Sequence, residues 1–146
     1  MEHILVGMHD TYGAWEALAR GCALAKRIDA RLHVLQVRTP LGRQAVHSET
    51  GRETLVRKRL ELLIEKAKSE GVQIDYFITE GDYEEEVIRF VNHHRITLLV
   101  YELARGDIKL VEKGTSPLQA IRHRVACKVE IVAPRRDIPK KQERTT

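Results

Sequence analysis

The residues best placed for chemistry lie in one stretch, residues 96–115, ITLLVYELARGDIKLVEKGT, and the two that follow. The stretch starts as a strand, leaves it through a loop, and reaches Gly114-Thr115-Ser116-Pro117. Ser116-Pro117 reads as a helix N-cap followed by proline at the first helical position. Gly114 lets the backbone come close to a ligand. Free N–H groups of Thr115 and Ser116, with two hydroxyls, make a place for an anion such as phosphate. A helix needs a cap in any case, and on spacing alone that plainer reading is favoured.

Other chemistry finds less support. There is no G-x-x-x-x-G-K-[ST], no G-x-G-x-x-G after the first strand and no G-x-S-x-G elbow. The SGGxDS loop of pyrophosphate-cleaving ATP enzymes and the HIGH motif of nucleotidyl transferases are missing too. Seven histidines invite a metal. However, His93 and His94 are adjacent and so face different sides of a helix. His3, His33, His47 and His123 have no partner at a helical or strand spacing, and His9 beside Asp10 is at most half a site. No metal site is read. Cys22 and Cys127 are far apart and form no C-x-x-C, so they read as reduced, partly buried thiols.

The elements that must position these residues alternate. Residues 4–8, ILVGM, form a short apolar run typical of a strand buried on both faces. Asp10 or Thr11 can cap the helix over residues 14–28, where Trp15, Leu18, Cys22 and Ala25 recur at spacings of three and four. Residues 31–37 give a second strand, and residues 38–48, with Pro40 and Gly42, a loop. A long helix over 49–69 turns Val56, Leu60, Leu63 and Ala67 inward and stops at Gly71. Residues 72–79 are a third strand, and Asp75 marks it as an edge strand. Asp82 caps the next helix and Glu85 completes a capping box. Its inner side is Val87, Ile88 and Val91, and His93 and His94 sit in its last turn. The fourth strand covers 97–101, the last helix 117–126 and the fifth strand 128–133. The order β-α-β-α-β-α-β-α-β predicts a parallel sheet between two helix layers, a three-layer α/β sandwich.

The 146 residues fit one domain, 1–133, with a basic tail, 134–146, expected to be disordered. The net charge is +4. The tail sets five cations, Arg135, Arg136, Lys140, Lys141 and Arg144, against Asp137 and Glu143, leaving the body near neutral. No basic stripe suggests specific nucleic-acid binding. No run of about 18 apolar residues suggests a membrane span, and MEHILVGMHD has no signal-peptide pattern, so a cytoplasmic location is expected.

The order of elements and several strings resemble the universal stress protein family over residues 2–133. ILVGMHDTYGAWEAL resembles the family opening ILVAVDGSxxSxxAL. Ala23-Leu24-Ala25-Lys26-Arg27 followed by Ala30-Arg31-Leu32-His33-Val34 resembles ALxLAKRxxAxLHLLHV. Gly81-Asp82 matches its helix start, and Gly114-Thr115, Arg122-His123 and Cys127 match its ending, GSVSxxVLRHAPCPVLVV. The resemblance implies a five-stranded parallel sheet of order 3-2-1-4-5 with four helices, of the adenine-nucleotide alpha-hydrolase-like kind. It also implies a homodimer through the last strand. One branch of the family binds ATP or AMP through an aspartate after the first strand and a loop G-x2-G-x9-G-[ST]. The other branch lacks the loop and is not thought to bind nucleotide.

By that resemblance the aspartate falls on His9, with Asp10 next, and Val37 takes the position that meets adenine through its backbone. The first two loop glycines fall on Glu102 and Arg105, and only Gly114-Thr115 keeps its identity, followed by Ser116. The loop is degenerate. Glu102 repels polyphosphate, and Arg105 could offset it by pairing with Glu102 or with a phosphate. The expected pocket is lined by His9, Asp10, Val37, Tyr101, Arg105, Gly114, Thr115 and Ser116. The function expected is a non-enzymatic regulatory or partner-binding module of a stress response, with no cofactor beyond weakly held ATP or AMP. The alternative is an adenine-nucleotide-binding protein with at most slow ATP hydrolysis. In the last strand, Lys128 and Glu130 share a face around Val129, with Ile131 and Val132 following. A two-fold axis at Val129 would set each Lys128 opposite the partner's Glu130.

Overall fold

The computed structural model describes residues 1–9, 13–38, 51–103 and 117–133. Five parallel strands, β1 (His3–His9), β2 (Arg31–Arg38), β3 (Gln73–Glu80), β4 (Leu98–Glu102) and β5 (Lys128–Val132), lie in the order β3-β2-β1-β4-β5. Among the described residues four helices join them: α1 (Trp15–Ile28), α2 (Gly51–Ser69), α3 (Tyr83–His93) and α4 (Pro117–Arg124). The expected topology is therefore the observed one. The tail from residue 134 lies outside the described residues. No described helix is long and apolar enough to cross a membrane.

The sheet is central because its middle strand is apolar on both sides. Ile4, Val6 and Met8 of β1 enter one core with Leu32 and Val34 of β2 and with Leu18, Leu60 and Ile64 of α1 and α2. Leu5 points the other way, into a second core with Leu35, Val87, Val91, Leu99 and Ile121 under α3 and α4. Each such side chain contributes roughly 1.5–3 kcal/mol relative to exposure, so these two layers hold the fold. The edges are β3 and β5, and Asp75 does lie on an edge strand, where Arg31 holds it at 2.9 Å. Gly71 ends α2 at φ +95°, a conformation other residues rarely adopt.

Several local expectations are corrected by tertiary partners. The N-cap position of α1 is Ala14, with no side-chain cap hydrogen bond of its own, and the expected caps Asp10 and Thr11 lie outside the described residues. Asp82 caps α3 through the Glu85 N–H at 3.2 Å. The Glu85 carboxylate does not complete the box. It is held by Arg124 of α4, at 2.6 and 3.2 Å, which lowers its pKa chiefly through that hydrogen bond. The last helix stops at Arg124, short of Ala126.

Candidate functional site

The carboxyl ends of β1, β2 and β4 meet at one end of the sheet, where open α/β folds bind ligands. His9 ends β1 and lies in register with Val37 of β2. Val37 is fully buried, packed in the core beneath α3 and α4, so the whole residue is covered at this corner. Tyr101 is buried in the core beneath α3 and α4. Asp10, Arg105, Gly114, Thr115 and Ser116, five of the expected lining residues, lie outside the described residues.

The structure adds Tyr83, which the sequence did not single out. Its ring stacks on the His9 imidazole, with centroids 4.2 Å apart and planes at 13°. It also meets Tyr101 edge-on at 6.5 Å. Gly7 makes this possible: a Cβ there would stand 2.6 Å from the Tyr83 hydroxyl oxygen. The sequence carried a faint signal, a glycine in a strand interior, which often marks close approach by another group.

Glu102 behaves differently from its expected role. It leaves β4 on the α1 side, and its Oε1 accepts the Ala17 N–H at 2.9 Å. The neighbouring Glu16 backbone N–H also favours the charge on this carboxylate. These are the second and third residues of α1, the N–H groups a local N-cap would satisfy. Glu102 thus caps α1 from another strand. Burial pushes its pKa up, the two backbone N–H groups pull it down, and nearby Glu16 pushes it up further, for a net rise. An anion placed here meets a carboxylate that already occupies the positive end of the helix.

The histidines are also paired by the fold. His3 Nδ1 lies 3.1 Å from His33 Nε2 across β1 and β2, a pairing that no helical or strand spacing in the sequence announces. In the sheet register His3 faces Arg31, so His33 is its diagonal neighbour. His33 is 5% exposed and its Nδ1 has no hydrogen-bond partner. Burial and the neighbouring His3 lower its pKa from 6.5 to about 4, with His94 and Arg31 adding to the fall and Asp75 opposing it. No group of three or more His, Cys, Asp or Glu suited to a metal occurs among the described residues.

The parallel 3-2-1-4-5 sheet with helices on both faces places the chain in the class of three-layer α/β sandwiches. Within that class, the profile of the universal stress protein family matches residues 1–132, and the chain belongs to that family. Among solved structures it resembles the universal stress protein UspA from Lactobacillus plantarum, with a TM-score of 0.71 and 17% identity over 92% of this chain and 97% of that one. A universal stress protein in complex with cAMP gives a TM-score of 0.66 at 16% identity, covering 92% and 98%. A family protein from Arabidopsis thaliana with AMP bound gives 0.58 at 16%, covering 94% of each. Comparison with curated proteins gives no match.

Proposed function

We propose that this chain is a non-enzymatic, cytoplasmic regulatory module of a stress response that binds a small ligand or a partner and does not hold ATP tightly. The observation that carries the reading is Glu102. Its carboxylate stands at the end of β4 and takes the Ala17 N–H in the first turn of α1, so the corner offers negative charge where a polyphosphate needs positive charge. His9 and the ring of Tyr83 stacked on it favour a planar, weakly charged ligand over a triphosphate.

A second reading, adenine-nucleotide binding with at most slow hydrolysis, is favoured by the solved relatives with cAMP and AMP. Thermal unfolding with 1 mM ATP, AMP or cAMP, with and without Mg²⁺, separates the two. A dissociation constant near 10 µM stabilises by about 2.7 kcal/mol at that ligand concentration, which raises the midpoint by several degrees. The expected result is a rise under about 1 °C with ATP. A rise of several degrees would establish the nucleotide reading instead.

The same proposal includes a homodimer through β5. It is an edge strand, and Ile131 is 39% exposed on it. The ion pair that was to register the two strands is partly engaged at home: Arg20 of α1 holds Glu130 at 2.5 Å. Apolar contact at Val129 and Ile131 therefore carries more of the association than Lys128 facing the partner's Glu130. Sedimentation at micromolar concentration is expected to show the dimer and to lose it on Ile131→Lys. A wild-type chain that stays monomeric removes this part of the reading.

A further inference from the structure

Among the described residues, no helix packs closely over the sheet face at the edge strand β3 on the α3 side. α3 packs its backbone on β2 and β1 as it crosses from β3 to β4, and meets the edge strand through the side chains of Glu86 and Phe90. Phe77 and Thr79 of β3 therefore remain half-buried. A cavity of about 300 Å³ opens between them and α3, at the lower end of the range for small-ligand sites.

Leu35, Phe77 and Phe90 form its apolar wall, and Arg89, His93 and His94 its polar side. The wall is a set of packed rings. His94 stacks on Phe90 at 3.7 Å and 11°, and Phe77 meets Phe90 edge-on at 5.0 Å. Buried His33 packs against all three, at 6.2 Å from Phe77, 5.8 Å from Phe90 and 6.0 Å from His94.

The polar side presents donors and ring nitrogens rather than free carboxylate. Glu86 also lines the cavity, but its side chain is only 11% exposed. Its Oε1 accepts the Thr79 hydroxyl at 2.8 Å and its Oε2 accepts Arg89 at 2.6 Å. Arg89 is 59% exposed, and its guanidinium has further N–H groups beyond the one given to Glu86. The Nδ1 atoms of His93 and His94 lie 2.9 and 3.3 Å from the carbonyls of Arg89 and Phe90. A carbonyl can only accept, so each Nδ1 carries the hydrogen and donates, leaving Nε2 an acceptor in the neutral ring and a donor to a carboxylate only in the protonated one.

We propose that this groove is a binding site for a small aromatic carboxylate, its ring against Leu35, Phe77 and Phe90 and its carboxylate on Arg89 beside His93. Aromatic walls favour a planar ring in offset or edge contact. The guanidinium fork matches a carboxylate in two parallel hydrogen bonds. The volume admits one or two fused rings. The site is separate from the strand-end corner of His9 and does not depend on the reading given to it.

The test is a titration of the full chain, followed by amide NMR, with benzoate and indole-3-acetate. Indole, which lacks the carboxylate, and cyclohexanecarboxylate, which lacks the aromatic ring, are the controls. Saturable shifts are expected in residues 77–79 and 86–94, with a dissociation constant of about 1 mM or tighter for the aromatic acids. Each control, and Arg89→Gln with the acids, is expected to bind about tenfold more weakly. Phe77→Leu keeps an apolar wall but removes a ring, and is expected to weaken the acids several-fold. Far-UV circular dichroism verifies that both variants are folded. The proposal is overturned by an absence of saturation at about 10 mM, by indole binding as tightly as indole-3-acetate, by an unchanged affinity in Arg89→Gln, or by shifts centred on His9 and Val37.

Discussion

Lowering the pH from 7 to 4.5 is expected to weaken the fold by about 2–3 kcal/mol through one residue, His33. The direction follows from its environment. In the unfolded chain the imidazole titrates near 6.5, and in the fold its pKa is about 4, set first by burial and then by His3. Between those values the unfolded state binds a proton that the native state refuses. Stability is therefore complete above pH 6.5, falls as pH drops toward 4, and levels off below. The hydrogen bonding explains why the fold refuses the proton. With His33 neutral, its Nε2–H can donate to His3 Nδ1, leaving Nδ1 as a bare lone pair. Protonation would turn that buried, unpartnered Nδ1 into an N–H with no acceptor, which is costlier than an unused lone pair. Urea denaturation of the wild type and His33→Phe at pH 7 and 4.5 isolates the effect from carboxylates that titrate in the same window. The variant keeps a ring in the cluster with Phe77 and Phe90, and its loss of stability should be smaller by about 2–3 kcal/mol. Equal losses in the two proteins would contradict the assignment.

Replacing Glu102 by alanine is expected to cost about 1–2 kcal/mol, the range found for loss of a helix N-cap. The Ala17 N–H would lose its acceptor, and the methyl side chain of Ala14 cannot replace it. Glu102→Gln keeps an acceptor oxygen and removes a partly buried charge, so it should lie within about 1 kcal/mol of wild type at pH 7. The raised pKa of Glu102 gives the sign. The native state holds this proton more readily than the unfolded chain does, so the net contribution of Glu102 falls as pH rises through its titration. The wild-type advantage over the glutamine variant should accordingly shrink, not grow, between pH 4 and 7. Denaturant midpoints measured across that interval check it. An alanine variant as stable as wild type would mean that water serves α1 as well as the carboxylate does. The alanine variant should also show a larger thermal response to AMP, since a negative charge has left the corner.

The sequence alone determined the order of elements, the two-faced burial of β1 and the edge position of β3. Ile4 to Met8 are continuously apolar, and Asp75 interrupts the third strand; period and polarity are local properties, so they can be read locally. The family was legible for the same reason: its strings are short and lie within single elements. Glu102 was legible as a departure from the loop pattern, but its partner was not. The Ala17 N–H is 85 residues away, and nothing local says which side of β4 its carboxylate will choose.

Only the tertiary structure decided the side-chain partners. His3 and His33 meet because β1 and β2 pair with His3 opposite Arg31, and a slip of one residue would have put His33 on the other face. Tyr83 reaches His9 because a glycine stands at position 7 of a strand 76 residues earlier. Glu85, placed to close a capping box, went to Arg124 because α3 and α4 lie side by side on one face. Glu85 thus had a local partner offered by its sequence and took a distant one. Chain entropy favours the near partner in an unfolded chain. Once the two apolar layers have fixed the backbone, that advantage is gone, and geometry and charge choose.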